Sequence, residues 1–274
     1  MSTTLKHSEV ERYLALLGTP QSEPSLDAFK RIVRAHLMEV PFENISKLYR
    51  YKTSGFRELP DSAMFLAGIE EYHFGGTCYS NNYYLYQLLI SLGYDAVLCG
   101  ADMSRTDVHM VSIVKVEGRE YIVDVGYAAP FLEPLPRDLS SNYTVSLGTD
   151  RYVLSPKDAT GRSQLTLYRD GAAHHGYLVN PAPRRIGEFR HIITDSFRPD
   201  ATFMNAVLLV RFAADQSTVL HNLTLIASKG SIARKTALRT TEDLIVTIEE
   251  HFSIPSSISR IALNGLSMRQ DAWS

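Results

Sequence analysis

The sequence predicts an α+β protein built as an N-terminal helical bundle, a central antiparallel β-barrel or sandwich and a C-terminal α/β lid. Three observations carry this. Helical periodicity dominates to about Gly93; short β-branched and aromatic runs separated by Gly and Pro take over from Val97 to roughly Ile193; strands followed by a helix close the chain. The divisions fall at 1–93, 94–199 and 200–274.

In the first part, Ser8 to Leu17 sets Val10, Tyr13, Leu14 and Leu17 at helical spacing with Ser8 as N-cap, and Ser25 to Met38 repeats the pattern through Leu26, Phe29, Val33 and Leu37. A further helix runs from Tyr79 to Leu92, introduced by Gly75-Gly76 and closed by Gly93. Thr77 to Tyr94 is uncharged, but Ser80, Asn81, Asn82, Gln87 and Ser91 would be costly in hydrocarbon, so it reads as a buried helix and no membrane is expected. Its tyrosines, Tyr79, Tyr83, Tyr84 and Tyr86, read as core.

In the second part, Val108–Val116 and Tyr121–Val125 flank Glu117-Gly118 and predict a hairpin. With Glu117 and Gly118 as the loop, Val116 faces Arg119 and Val111 faces Asp124. His109 and Asp124 then share one face as diagonal neighbours, and a slip of one residue would separate them. Tyr143–Leu147, Arg151–Leu154 and Gln164–Tyr168 read as further strands. In the third part, Met204–Phe212, Val219–Ala227 and Ile232–Leu238 read as strands. A helix follows from Thr241, capped by Thr240 with Asp243, with Leu244, Ile248 and Phe252 on one face.

With 274 residues, 45% hydrophobic and 21% charged, the chain can bury a large core. A net charge of -2 offers no basic field, so nucleic acid is not expected as a partner. Two cysteines make no disulfide framework, and the N-terminal residues lack an apolar targeting segment; a reducing cytoplasm is expected. The oligomeric state is left open.

Cys78 carries the chemistry. It follows Gly75-Gly76-Thr77 at the start of a helix, where unpaired N–H groups and the positive end of the dipole favour thiolate over thiol. His109 can take the thiol proton, and Asp124 can fix the imidazole tautomer and stabilise the imidazolium. A lone Cys is usually a small buried hydrophobe, and Cys99 is read that way. A lone strand His or Asp is usually a satisfied core group; the order Cys, His, Asp, with the last two on paired strands, favours nucleophilic catalysis. His174-His175 lacks metal-ligand spacing and a neighbouring Cys or carboxylate cluster, so it reads as a solvated loop and no metal is expected.

These residues also carry a resemblance. Val40-Pro41-Phe42-Glu43-Asn44-Ile45, Gly75-Gly76-Thr77-Cys78 with Asn82 beyond it, His109-Met110-Val111 and Val123-Asp124-Val125-Gly126-Tyr127 resemble, in order and spacing, the successive signatures of the arylamine N-acetyltransferase family. Asp200-Ala201-Thr202-Phe203 and His251-Phe252-Ser253-Ile254 resemble its C-terminal part. The resemblance implies a cysteine-protease/transglutaminase-like core with Cys78, His109 and Asp124 as catalytic triad. It makes Phe42 the acceptor-pocket aromatic and Tyr127 the aromatic after the aspartate. It further implies acetyl-CoA as co-substrate, an arylamine or hydrazine acceptor and a ping-pong mechanism through a Cys thioester. The coenzyme A phosphates would meet scattered Lys, Arg and backbone N–H groups, among which Arg105 is a candidate, although a solvated loop Arg is the simpler reading.

Departures from the family pattern set the alternatives. Phe74 stands where an Arg is typical and Ser80 where Glu or Gln is typical, removing a polar strut around the nucleophile. Tyr127 replaces a Phe, Ala128 stands where Gly is common, and Gly100 to Asp107 is short. A related amide synthase with a different acyl donor would suit an altered cleft. A cysteine hydrolase or transglutaminase-like enzyme shares the residue order, and an impaired family member acting as a binding protein would follow from the lost strut. Phe74 is expected to be buried against aromatic neighbours, either the tyrosines of the Tyr79 to Tyr94 helix or residues of the first part.

Overall fold

A computed structural model describes residues 4–230, 232–268 and 271. The chain opens with α1 (His7–Leu16), α2 (Leu26–Glu39), the short strand β1 (Phe42–Glu43), α3 (Ile45–Ser54), α4 (Ser62–Tyr72) and α5 (Cys78–Ser91). There follow β2 (Asp95–Asp102), β3 (His109–Val116), β4 (Arg119–Val123), β5 (Leu135–Pro136), β6 (Tyr143–Leu147), β7 (Asp150–Leu154), β8 (Ser163–Arg169) and β9 (Ala172–Pro183). A 3-10 turn at Ile186–Phe189 leads to α6 (Arg190–Asp195) and α7 (Thr202–Asn205). The chain ends with β10 (Leu208–Phe212), β11 (Gln216–His221), β12 (Thr224–Lys229), β13 (Ile232–Ala237), α8 (Thr241–Phe252) and α9 (Ser256–Leu263).

Among the described residues the strands form two antiparallel sheets, ordered β5-β4-β3-β2-β9-β8-β7-β6 and β1-β10-β11-β12-β13. The first is a nearly closed barrel, bent where β2 and β9 shift register between Cys99 and Ala101. Its interior is filled by Phe131, Tyr152, Leu165, Leu167, Tyr177 and Val179. Outside it, α5 lays Leu85, Leu88 and Leu89 into one core with Met110 and Val114 of β3. That contact fixes where the first turn of α5 meets the barrel. The second sheet joins the ends of the chain, since Phe42 and Glu43 pair with Val210 and Leu209. Observed and expected fold class agree.

Local chemistry sets most boundaries. Ser25 Oγ accepts from the Ala28 N–H, and Thr240 and Asp243 cap α8 reciprocally at 3.0 and 3.1 Å. Four expectations are corrected. α1 starts at His7 with Lys6 as N-cap, not Ser8, because the Glu9 carboxylate reaches back to the Lys6 N–H at 2.8 Å. Met204–Phe212 is not one strand: Asn44 Nδ2 donates to the carbonyls of Phe203 and Ala206, holding a helical turn there, and β10 begins at Leu208. Val219–Ala227 is a hairpin broken at Asn222, whose φ of 49° is the left-handed conformation asparagine tolerates. His174 and His175 lie in β9, not in a loop. No helix of the described residues is long and apolar enough to cross a membrane.

One buried histidine makes the fold pH-sensitive. His36 on α2 is fully buried, its Nδ1 hydrogen-bonded with the Tyr13 hydroxyl at 2.9 Å, and burial lowers its pKa from 6.5 to about 3. Between those values the unfolded chain binds the extra proton, so the stability conferred is present above pH 6.5 and is lost as pH falls toward 3. From pH 7 to 5 this residue should cost about 2 kcal/mol. Urea unfolding of wild type and His36→Gln at both pH values checks it: the variant should lose that part of the drop.

Candidate active site

Three elements converge on one cleft of about 780 Å³, which Phe42, Cys78, His109, Gly126, Tyr127 and Phe203 help to line. Cys78 is the first residue of α5, after Thr77 as N-cap, and is partly exposed. Cys99 is fully buried, and burial pushes its thiol up to about 12. The hairpin has the expected register: Val116 pairs with Arg119 and Ser112 with Val123, which sets Asp124 on the face of His109.

The His109 imidazole is buried. Its Nε2–H donates to Oδ2 of Asp124 at 2.8 Å, which leaves Nδ1 as the nitrogen free for the Cys78 sulfur that lines the same cleft. Burial alone would push the imidazole pKa down, but the Asp124 charge and hydrogen bond, with the Cys78 contact, raise it. Burial would likewise raise the Asp124 carboxyl; His109 and the Asn82 amide hold it below its usual range. Asp124 sits behind His109, away from the cleft surface. Thiol, imidazole and carboxylate are thus gathered at one place, and the carboxylate fixes which imidazole nitrogen bears the proton.

Asn82, one turn along α5 from Cys78, ties these elements together. Its Nδ2 donates to Asp124 Oδ1 at 2.8 Å and to the Met110 carbonyl at 2.7 Å, while its Oδ1 accepts from the Val125 N–H at 2.8 Å. The residue was legible as part of a motif; its role in joining both strands to the helix was not. A Cβ on Gly126 would stand 2.6 Å from Cys78 Cα, so only glycine lets this loop close over Cys78. Ala128 adopts φ 58°, a left-handed conformation costing about 1–2 kcal/mol for an L-residue. Ala128→Gly should therefore stabilise by about 0.5–1 kcal/mol net of the added unfolded-chain entropy, read as a higher urea midpoint.

Glu43 holds the turn before Cys78. It is fully buried, its Oε1 accepting from the Gly75 N–H at 3.2 Å and its Oε2 from the Ser46 N–H at 2.8 Å. Burial raises its pKa despite these bonds and the nearby Arg50 charge. Arg50, from α3, sits 5.6 Å from the ring centroid of Phe74. The Arg50 charge thus opposes that rise from a distance, while the guanidinium donates to the Met64 carbonyl at 3.2 Å. Phe74 itself is 2% exposed and packs on Tyr72 and Tyr49 of the first part, at 5.3 and 6.1 Å between centroids, rather than on α5.

The remaining aromatic residues shape the walls. Phe42 packs edge-on to Phe203 at 5.6 Å. The Tyr127 hydroxyl lies 2.6 Å from His175 Nδ1, and its ring meets the His109 ring edge-on at 5.6 Å. His175 is therefore a cleft residue that its adjacent-His pattern concealed. Arg105 also reaches the cleft, as does Lys47. Among the described residues no group of three or more His, Cys, Asp or Glu could hold a metal.

A chain with this fold matches the N-acetyltransferase family model over residues 25–261. It belongs to the arylamine N-acetyltransferase family. It is 32% identical to proansamycin X synthase of Amycolatopsis mediterranei over 46% of this chain and 52% of that protein. It is 29% identical to arylamine N-acetyltransferase 1 of Oryctolagus cuniculus over 48% of each. These matches span about half the length of those relatives. The structure of Mycobacterium marinum arylamine N-acetyltransferase in complex with CoA superposes with a TM-score of 0.78 at 21% identity, covering 94% of this chain and 99% of that one, a likeness of fold.

Proposed function

We propose that this protein transfers a short acyl group, acetyl in the simplest case, from acyl-coenzyme A to an aromatic amine or hydrazine through a thioester on Cys78. The observation that carries this is one imidazole, His109, hydrogen-bonded to a buried carboxylate and lining one cleft with the Cys78 thiol. In the first half-reaction the Cys78 sulfur attacks the thioester carbonyl and coenzyme A leaves with a proton from the imidazolium. In the second, the amine attacks the Cys78 thioester, the carbon–sulfur bond to Cys78 breaks, and His109 passes the amine proton to the departing sulfur. Asp124 holds the tautomer throughout. The Cys78 N–H, at the helix start with no intrahelical acceptor, is the first oxyanion donor. Phe42 and Tyr127 form the walls against which a planar acceptor rests.

In this reading residues 1–93 supply the nucleophile, 94–199 its base and carboxylate, and 200–274 the lid. A second reading, amide synthesis from another acyl donor, is favoured by Phe74, Ser80 and Tyr127 and by the similarity to proansamycin X synthase.

Coenzyme A release separates these readings from hydrolysis. Acetyl-CoA without acceptor should release about one equivalent of coenzyme A per chain and then slow, with release resuming when an aromatic amine or hydrazine is added. Continuous release without acceptor would indicate a hydrolase; no release, with acylation from a different donor, would favour the amide synthase.

A further inference from the structure

Tyr79 follows Cys78 on α5 and joins the core by its ring, but its hydroxyl leaves the helix for another element. It is 6% exposed, and the hydroxyl donates to the Val108 carbonyl at 2.9 Å, one residue before His109. One residue beyond His109, the Met110 carbonyl accepts from Asn82 Nδ2 at 2.7 Å. Tyr79 and Asn82 are three apart on α5 and share one face of it, while carbonyls two apart on an extended chain, such as those of Val108 and Met110, point to one side. Two donors of the helix that carries Cys78 therefore straddle the histidine. The strand is least supported at this point: β3 pairs with β4 only as far as Ser112 with Val123, and with β2 only as far as His109 with Ala101. Val108 lies outside both ladders, and Asp107 before it takes the left-handed conformation, with φ 57°. His109 is thus the last paired residue of its strand, and the Tyr79 hydroxyl takes up the carbonyl that precedes it.

We infer that Tyr79 is a positioning residue: with Asn82 it clamps the backbone on either side of His109 and so sets the imidazole against the Cys78 sulfur. This rests on the reading of Cys78 as nucleophile and His109 as its base. The clamp works because thiol and hydroxyl belong to consecutive residues at the start of one helix. Any shift of α5 that carries Cys78 also carries Tyr79, and the bond to Val108 takes the start of β3 with it. Proton transfer from sulfur to Nδ1 needs hydrogen-bond reach, and a misplacement of about 1 Å can cost about 10²-fold in rate. Asp124 governs which nitrogen holds the proton; Tyr79 governs where the ring stands. A tyrosine that served packing alone would need only its ring.

Tyr79→Phe removes the hydroxyl and keeps the ring. Tyr83→Phe is the control, since it removes another buried tyrosine's hydroxyl from the same helix, one to which Gln87 Nε2 donates at 3.2 Å in a bond that stays within α5. In single-turnover acylation by acetyl-CoA, Tyr79→Phe should lower the saturating rate about tenfold, the factor one buried hydrogen bond supplies, and leave the half-saturating concentration unchanged. Alkylation of Cys78 by iodoacetamide at neutral pH, followed by peptide mass, should slow as much with no acyl donor present. Tyr83→Phe should keep both rates. Unchanged rates in Tyr79→Phe, or a higher half-saturating concentration at an unchanged saturating rate, would overturn the inference, as would equal losses in the two variants. Alkylation that Tyr79→Phe slows in a chain that acetyl-CoA fails to acylate would uphold the clamp and count instead against acetyl-CoA as the donor.

Discussion

Asp124→Asn should lower the rate of Cys78 acylation by about 10⁴-fold while leaving the fold intact. The Asp124 Oδ1 already accepts from the Asn82 amide and, at 3.0 Å, from the Gly126 N–H. An asparagine would keep its carbonyl oxygen on those donors and so turn its NH₂ toward His109 Nε2. That nitrogen would have to accept, moving the imidazole proton to Nδ1, the nitrogen that faces the sulfur. The ring could then no longer take the thiol proton. Pre-steady-state acylation by acetyl-CoA, beside a thermal melt, checks both halves. An unchanged rate would remove Asp124 from the mechanism, and a collapsed melt would make its role structural.

Phe74→Ala should destabilise the chain by about 3–5 kcal/mol, the range for truncating a buried phenylalanine. Its ring shares a core with Ile45 and Leu48 of α3, Leu209 of β10 and Ile248 and Phe252 of α8, so it joins both ends of the chain behind the nucleophile's turn. Loss of the ring also removes the aromatic face beside the Arg50 guanidinium, whose charge acts on the Glu43 that braces Gly75. Acylation should therefore fall further than in a variant of equal destabilisation placed elsewhere, such as Leu165→Ala inside the barrel. Urea unfolding with single-turnover acylation on the two variants measures this, and equal losses of rate would mean that Phe74 serves stability alone.

The parts of the structure legible in the sequence are those fixed by short-range chemistry. The Glu117-Gly118 loop set the hairpin register and thereby put His109 and Asp124 on one face, and Thr240 with Asp243 marked the start of α8. The Gly pair before Cys78 located the start of α5 to within a residue. What was not legible depends on partners distant in sequence. Asn44 breaks Met204–Phe212 from the other end of the chain, and the Arg50 charge acts on the buried Glu43 from a position that no motif marks. His175 becomes a cleft residue only because β9 pairs with β2 beside Tyr127. Lys47 looks like any helix-surface lysine until α6 and Ser196 cover it. The Asn222 turn was missed for another reason: Val219–Ala227 reads as one apolar run, and the asparagine inside it is the only local signal of a reversal.

The most direct test is the intact mass of the protein after brief exposure to acetyl-CoA without acceptor, followed by peptide mapping. A single added acetyl group on the peptide containing Cys78, discharged by an aromatic amine or hydrazine and absent in Cys78→Ala, is the predicted result. An unmodified chain, or an acetyl group carried elsewhere and retained in Cys78→Ala, would contradict the assignment of Cys78 as the acyl-carrying nucleophile for acetyl-CoA.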